Sequence, residues 1–295
     1  MRKQVKGMTV LTMMLAVLIL SATSVFAATA STDWDGGTIT VEGYGAVPTT
    51  AHTAAQSRMM TRRAAVVDAY RALAEAVQGV QVDAVSTVKD MELLSDVTKV
   101  RVSALVKGAK IISEKEASDG SFTVVMSIPM YGVSNSLASA VLPETGTQEA
   151  FPAPVAGVAP STVTLPSPSS GSSAASVPSS ASGMQAVGGY TGLIVDCSGL
   201  GLKPVMSPVI RNGSGDPIYG YKNLDYKKVV ASWMAGYTRD LHNAARAGSN
   251  PLIVRAISVD NHSGDPVLSV ADANRVLVEN AASGFLDRCA VVFVR

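Results

Sequence analysis

The chain has 295 residues, of which 16% are charged and 5% are aromatic, and its formal net charge is +1. This length is sufficient for two ordinary domains, each with its own hydrophobic core. The balance of 24 basic and 23 acidic residues argues against a nucleic-acid-binding protein, because such proteins depend on excess positive charge. Two cysteines and three histidines leave little material for a disulfide scaffold or a closed zinc site.

Residues 1–27 have the layout of a secretory signal peptide. Three basic residues precede an apolar run from Met8 to about Leu20, and small residues precede a cleavage position after Ala27. The alternative is an uncleaved membrane anchor, but the apolar run has only about 13 residues where a spanning helix needs about 20. We therefore expect an exported protein, periplasmic or envelope-associated, with no transmembrane span after cleavage.

A segment without charge divides the remaining chain. Residues 151–189 contain no Lys, Arg, Asp or Glu and are rich in Pro, Ser, Ala and Gly. Because such a composition cannot bury a core, it predicts a disordered linker. We place this linker at 144–187, between two independently mobile domains at 33–143 and 188–295.

The pattern of the first domain predicts an α+β fold. A strand, TITVEGYG at 38–45, precedes a long helix that Thr49 or Thr50 caps and that runs to about Gln78, where Gly79 suits a left-handed stop. The segments VQVDAVSTV, AKIISEKE and FTVVMSIPM alternate like strands, and the Asp-Gly pair at 119–120 suits a hairpin turn. We expect the helix to pack on a small, mostly antiparallel sheet through a stripe with helical spacing: Ala55, Met59, Val66, Ala69, Leu73 and Val77.

The pattern of the second domain predicts an α/β fold with two helices on a sheet. GLIVDC, NPLIVRAISV and AVVFV are the candidate strands, and the Asn-Gly pair at 212–213 suits a hairpin. One helix is expected from the cap Asp225 to Gly248, and a second after the capping box of Ser269 and Asp272.

The first domain resembles a known family. Its segments GYGAVP, MMTRRAAVVDAYRALAEAVQGVQVDAVSTVKD and VKGAKIISEKEASDGSFTVVMSIPMYG resemble the LPP-20-like lipoprotein domain family over about residues 38–132. That domain is also similar to the N-terminal domain of the flagellar assembly protein FlgT. The resemblance implies a cell-envelope protein that is not an enzyme and that is in some cases tied to the flagellar basal body or the outer membrane.

Two further points follow from this resemblance. The second domain, with TGLIVDCSGLGLKP and NPLIVRA, looks like the companion region of larger exported members, and it implies no activity. The family name implies a lipidated cysteine, whereas the first cysteine of this chain is Cys197. We therefore expect no lipid anchor through an N-terminal cysteine.

The sequence contains one match to a catalytic motif: Ser86 and Lys89 fit S-x-x-K, but they lie on a predicted strand without a K-T-G partner, which favours a chance match. There is no G-x-S-x-G elbow, no phosphate-binding loop of the Walker type and no H-E-x-x-H pair. We therefore expect a protein that is not an enzyme and that has no catalytic residue, cofactor or metal.

Three groups of residues are the candidate sites. Arg58, Arg62 and Arg63 form a basic cluster on the long helix, which is either a solvated face or a partner-binding patch. Cys197 and Cys289 are candidates for a disulfide in an oxidising compartment, which would stabilise the domain by about 4–5 kcal/mol, or they are buried thiols. A possible anion-binding loop in CSGLGLKP, or else a tight structural turn, contains Asp196, Gly199, Gly201 and Lys203.

These observations favour an exported envelope protein that acts by protein binding and assembly, with envelope or flagellar proteins as partners and no nucleic acid. The alternative is a small-ligand or glycan-binding module, or an unrecognised enzyme, in the second domain.

Overall fold

A computed structural model describes residues 29–144, 147–161 and 185–295. The predicted signal peptide at 1–27 and residues 162–184 of the predicted linker lie outside the described residues. In the described ranges, no helix combines the length and the apolar character that crossing a membrane requires.

The first domain is α+β, as predicted. Its sheet has the order β1-β2-β4-β3 with antiparallel neighbours, and the long helix α1 covers one face of β2 and β4. Its elements in chain order are β1 (Ala30–Asp33), β2 (Thr38–Gly45), α1 (Ala54–Gln78), α2 (Val88–Leu94), α3 (Asp96–Lys107), β3 (Lys110–Glu116), β4 (Phe122–Pro129) and α4 (Leu137–Val141).

Two glycines in β2 allow α1 to lie unusually close to the sheet. A Cβ atom at Gly43 would lie 2.2 Å from the backbone nitrogen of Ala69, and one at Gly45 would lie 2.0 Å from the carbonyl oxygen of Thr61. Real Cβ atoms do not approach backbone so closely, so only glycine fits at these positions. The alanines on the facing side of α1, including Ala65 and Ala69, are fully buried.

The start of α1 and the segment after it differ from the sequence-based expectation. The helix begins after Thr53, whose side chain accepts a hydrogen bond from the Gln56 amide, and Met59 is exposed. The segment VQVDAVSTV is not a strand. Asp83 Oδ1 accepts hydrogen bonds from the backbone amides of Val85 and Ser86, and these bonds fold the segment into a turn. Gly79 ends the helix in a right-handed conformation with φ −81°.

The second domain contains two four-stranded sheets. One has the order β8-β12-β5-β9 with all neighbours parallel, and the other has the order β10-β11-β6-β7. Its elements are β5 (Gly192–Asp196), β6 (Ile210–Asn212), β7 (Pro217–Tyr219), a 3-10 turn (Tyr221–Asn223), α5 (Tyr226–Ser232), β8 (Gly236–Thr238), a 3-10 turn (Ala245–Ala247), β9 (Pro251–Arg255), β10 (Ser258–Asp260), β11 (Asp265–Leu268), α6 (Val270–Ser283) and β12 (Val291–Val294).

The helix expected after Asp225 is much shorter than predicted. Asp225 does cap it, accepting a hydrogen bond from the Lys228 amide at 3.0 Å, but α5 ends at Ser232. Trp233 has φ 67° and ψ 160°, which no helix contains and which only glycine adopts without strain. The cap predicted at Ser269 is confirmed, since its hydroxyl accepts the Asp272 amide at 3.0 Å.

The two domains are in contact, which differs from the expectation of independent mobility. The rings of Tyr131 and Trp233 lie 4.7 Å apart between centroids, and the Gly132 amide donates to the Val230 carbonyl at 2.6 Å. Buried apolar residues of both domains form one continuous core. Separating the two domains would expose this shared apolar surface to water, which is unfavourable in free energy.

Residues 155–161 of the predicted linker lie against α6 of the second domain. Asn274, which is fully buried, accepts the Val155 amide at 2.7 Å and donates to the carbonyls of Val155 and Val158. The Ser161 amide donates to the Ala271 carbonyl at 3.0 Å. These contacts satisfy backbone groups that a disordered coil would leave to water.

Candidate functional site

The basic cluster on α1 is largely neutralised by strand β3. Arg58 pairs with Glu116 at 2.8 Å, and Arg62 forms a two-pronged contact with Glu114. The hydrogen bonds from Arg62 hold the pKa of the Glu114 carboxyl below its usual value. Arg63 is exposed and has no ion pair within the described part of the chain. Two of the three arginines therefore join the helix to the sheet, and a partner-binding role for the cluster stays a prediction.

The predicted anion loop is a tight turn after β5. Asp196 Oδ1 accepts the Ser198 amide at 2.9 Å, and Gly199 and Gly201 have φ values of 80° and 72°. A Cβ at either glycine would meet nothing within 4 Å, so the glycines serve the backbone conformation. Lys203 lines a cavity of about 360 Å³ between the domains. The structure thus brings Lys203 to a cavity, and it does not bring Asp196 or the two glycines there.

The two cysteines are free and buried, and the predicted disulfide is absent. Strands β5 and β12 are parallel, with Leu193 opposite Val291 and Asp196 opposite Val294. Cys197 lies beyond the Val294 end of this pairing, where its amide donates to the Val294 carbonyl, whereas Cys289 precedes the Val291 end, so the length of the paired strands keeps the two cysteines at least about 10 Å apart. A disulfide needs Cα atoms within about 7 Å, so the sheet itself excludes the bridge.

Sequence reasoning missed an exposed apolar surface at the corner between α2 and α3. We define the α2–α3 apolar surface as Leu93, Leu94, Val97 and Val100, whose side chains are 60–83% exposed. Helix α3 buries Val102 and Leu105 on its other side. The sequence does contain a signal for this surface, because α3 has more apolar residues than a helix with a single buried face requires.

A cleft of about 680 Å³ lies between the two domains. Its lining includes Met91 and Leu142 from the first domain and Tyr221 from the second, so apolar and aromatic groups predominate on part of its wall. Asp265, only 2% exposed, also lines the cleft and accepts hydrogen bonds from the Arg211 and Asn261 side chains. Such a cleft, apolar with a few fixed polar groups, is typical of ligand sites.

Comparisons with known proteins match two separate ranges of the chain. Residues 33–128 match the LPP20 lipoprotein family, and residues 192–295 match the second domain of Treponema pallidum Tp0624. No curated protein matches the chain. The LPP20 match indicates association with the cell envelope and confirms the resemblance seen in the sequence of the first domain. The chain thus joins a domain similar to the LPP20 lipoprotein family to a domain similar to the second domain of Tp0624.

Proposed function

We propose that this protein is an exported, periplasmic component of the cell envelope that acts by protein binding and assembly, not by catalysis. Within the envelope, we propose that it is located at the flagellar basal body or the outer membrane. The envelope association rests on the LPP20 match, and the binding role rests on the α2–α3 apolar surface.

The energetics of this surface favour a partner. Complete burial of one Val or Leu side chain contributes about 1.5–3 kcal/mol, and here four such side chains are exposed on two consecutive helices. Single exposed apolar residues are ordinary, whereas contiguous groups of them mark interaction sites. Helix α3 is apolar on two opposite sides, and only one of these sides packs on the protein's own core.

We infer that the partner of α3 is a second copy of the same helix. Val97, Val100 and Ala104 follow the alternating three- and four-residue spacing of a coiled-coil seam, which makes Asp96 a g position and Arg101 an e position. In a parallel pair, a g residue faces the e residue five positions later in the other helix, so Asp96 faces Arg101 of the second copy. Neither side chain has an ion pair in the ranges that the structure describes.

Sedimentation velocity of the chain lacking residues 1–27 tests this proposal. We expect a concentration-dependent dimer that Val97→Asp and Val100→Asp each abolish with an unchanged circular dichroism spectrum. Val67→Asp is the matched control, because Val67 is equally exposed but lies on α1. A chain that stays monomeric at every concentration would contradict self-assembly.

A charge exchange tests the register of the pair. Asp96→Arg and Arg101→Asp should each weaken the dimer by like-charge repulsion, and the double variant should restore it. Equal weakening by the double variant would contradict the parallel arrangement. Binding of a monomeric chain to phosphatidylglycerol vesicles, lost in Val100→Asp, would instead assign the surface to membranes and overturn the proposal.

A cellular experiment tests the finer location. Deletion of the gene should impair motility or envelope integrity, and the Val67→Asp gene should restore the lost property while the Val100→Asp gene should not. A deletion strain that is normal in both properties would count against the assembly role.

A glycan-binding module is the second candidate function, and the interdomain cleft favours it. Tyr221 offers an aromatic face to a sugar ring, and Asp83, Glu149 and Asn223 line the same cleft with hydrogen-bonding groups. Titration with N-acetylglucosamine tetramer should then raise the melting temperature of the chain. Ser207→Trp, which fills the cleft, should remove that effect. An unchanged melting temperature in the original chain would exclude this candidate for that class of glycan.

A further inference from the structure

Two arginines meet at one edge of the parallel sheet in the second domain. Arg239 directly follows β8 and Arg295 directly follows β12, and these strands are parallel neighbours. The Arg295 amide donates to the Thr238 carbonyl at 2.9 Å, which fixes the two chain segments side by side. The carboxyl ends of parallel strands are where open α/β sheets bind their ligands.

The Nε of Arg295 has no hydrogen-bond acceptor among the described residues. This nitrogen is the single buried side-chain nitrogen or oxygen without a hydrogen-bond partner in the part of the chain that the structure describes. Burial lowers the pKa of Arg295, and the charge of Arg239 lowers it further. Buried polar groups in native proteins are nearly always paired, so an orphaned guanidinium N–H indicates a missing acceptor.

Both arginines line a cavity of about 370 Å³ together with groups of the opposite charge. Asp33, Asp35 and Asp240 also line this cavity, and none of them forms an ion pair with either arginine. Asp33 accepts the amides of residues 35 and 36, and Asp240 accepts the amide of residue 242. These turns occupy one oxygen each of Asp33 and Asp240, and Asp35 accepts a hydrogen bond from the Asn243 side chain at 3.5 Å, so each carboxylate keeps an oxygen for a ligand.

The mixture of charges decides the class of ligand. A simple anion would be attracted by the two guanidinium groups and repelled by the three carboxylates. A simple cation would be attracted by the carboxylates and repelled by the guanidinium groups. A molecule that carries a carboxylate and an ammonium group satisfies both sets at once. Trp34 and Tyr237, with ring centroids 5.8 Å apart, add an aromatic wall to the cavity.

We propose that this cavity binds a small zwitterion of the α-amino acid type, with its carboxylate held by Arg239 and Arg295 and its ammonium group held by the aspartates. The cavity volume lies at the lower end of the range for small-molecule sites, which suits a ligand of amino-acid size. This binding activity is separate from the proposed assembly role, because the cavity contains no residue of the α2–α3 apolar surface.

Titration calorimetry of the chain lacking residues 1–27 tests the inference with three probes of similar size. Alanine carries both charges, propionate carries only the carboxylate and ethylamine carries only the ammonium group. We expect saturable binding of alanine, and binding at least about tenfold weaker for each of the other two. No saturable binding of alanine, or equal binding of propionate, would overturn the proposal.

Variants of the exposed arginine separate binding from folding. Arg239→Gln should weaken alanine binding by about tenfold with an unchanged melting temperature, because Arg239 is exposed and its side chain has no ion pair or hydrogen bond in the described ranges. Arg63→Gln is the matched control and should bind as the original chain does. Unchanged affinity in Arg239→Gln would contradict the site. Val100→Asp should leave alanine binding intact, so failure of the assembly proposal and failure of this one are distinguishable.

Discussion

Glu279 is fully buried on α6 and accepts a hydrogen bond at 2.9 Å from Arg275, one helical turn earlier. The Arg275–Glu279 pair also forms hydrogen bonds with two segments that are distant from α6 in the sequence. Arg275 Nε donates to the Ser161 carbonyl at 2.7 Å, and the Glu279 carboxylate accepts the amides of Val187 and Gly188 at 2.9 Å each. Ser161 and Val187, which belong to the described residues on either side of 162–184, therefore both contact α6.

Breaking the Arg275–Glu279 pair should strongly destabilise the second domain. Glu279→Gln removes the negative charge and leaves the buried Arg275 guanidinium without a counter-ion. We therefore expect a loss of about 3–5 kcal/mol in the free energy of unfolding. Urea denaturation measures it. Glu75→Gln is the control, since Glu75 pairs with Arg71 at the same spacing but on an exposed face, where a loss of less than about 1 kcal/mol is expected. Equal losses in the two variants would contradict the role assigned to burial.

The two domains should unfold in a single transition. Tyr131→Ala removes the ring that contacts Trp233 across the interface and should lower the free energy of unfolding by about 2–3 kcal/mol. Differential scanning calorimetry should show one transition for the original chain and two for this variant. Tyr70→Ala, within the first domain, should lower stability without separating the transitions. Two transitions in the original chain would show that the domains are independent.

The cysteines should be unreactive in the folded protein. Burial raises the pKa of the Cys197 thiol to about 12 and also raises that of Cys289, so neither forms a thiolate near pH 8. Titration with a thiol reagent should detect no thiol in the native chain and two after unfolding without a reductant. A denatured chain without reactive thiols would show that a disulfide forms despite the register of β5 and β12.

Asp68 should stabilise the first domain in a pH-dependent manner. Burial alone would raise the pKa of Asp68, but hydrogen bonds from the Tyr44 amide at 3.0 Å and from Arg71 at 2.8 Å outweigh it and lower the pKa. Because the folded pKa lies below the unfolded value of about 3.9, the stabilisation is complete above that value and is lost as the pH falls through the folded pKa.

Urea denaturation of Asp68→Asn at several pH values measures this effect. The variant should be less stable than the original chain by about 1 kcal/mol at pH 7, and the difference should shrink below about pH 4. A difference that does not change between pH 7 and pH 3 would show that the charge of Asp68 does not contribute.

Local signals in the sequence predicted most of the elements correctly. The alternation of TITVEGYG defines β2 with the bounds observed, and the caps at Asp225 and Ser269 begin α5 and α6. The errors lie where a local hydrogen bond or backbone strain opposes the apolar pattern. The turn at Asp83 replaces a strand, and the conformation of Trp233 ends a helix that periodicity would continue to Gly248.

The candidate sites were less accessible to sequence reasoning, because each depends on residues far apart in the chain. Arg239 and Arg295 become neighbours only through the pairing of β8 with β12. The α2–α3 apolar surface was hidden because hydrophobicity alone does not show which side of α3 the core covers.

By itself the sequence determined the fold class and the family resemblance, since these depend on periodicity, capping and composition, which are properties of neighbouring residues. Only the tertiary structure decided that Cys197 and Cys289 lie too far apart to pair and that the domains share one core. It also showed that the predicted linker is held at both described ends by α6. The physical reason is that register, burial and the partners of charged groups are set by contacts between distant segments, which no local pattern encodes.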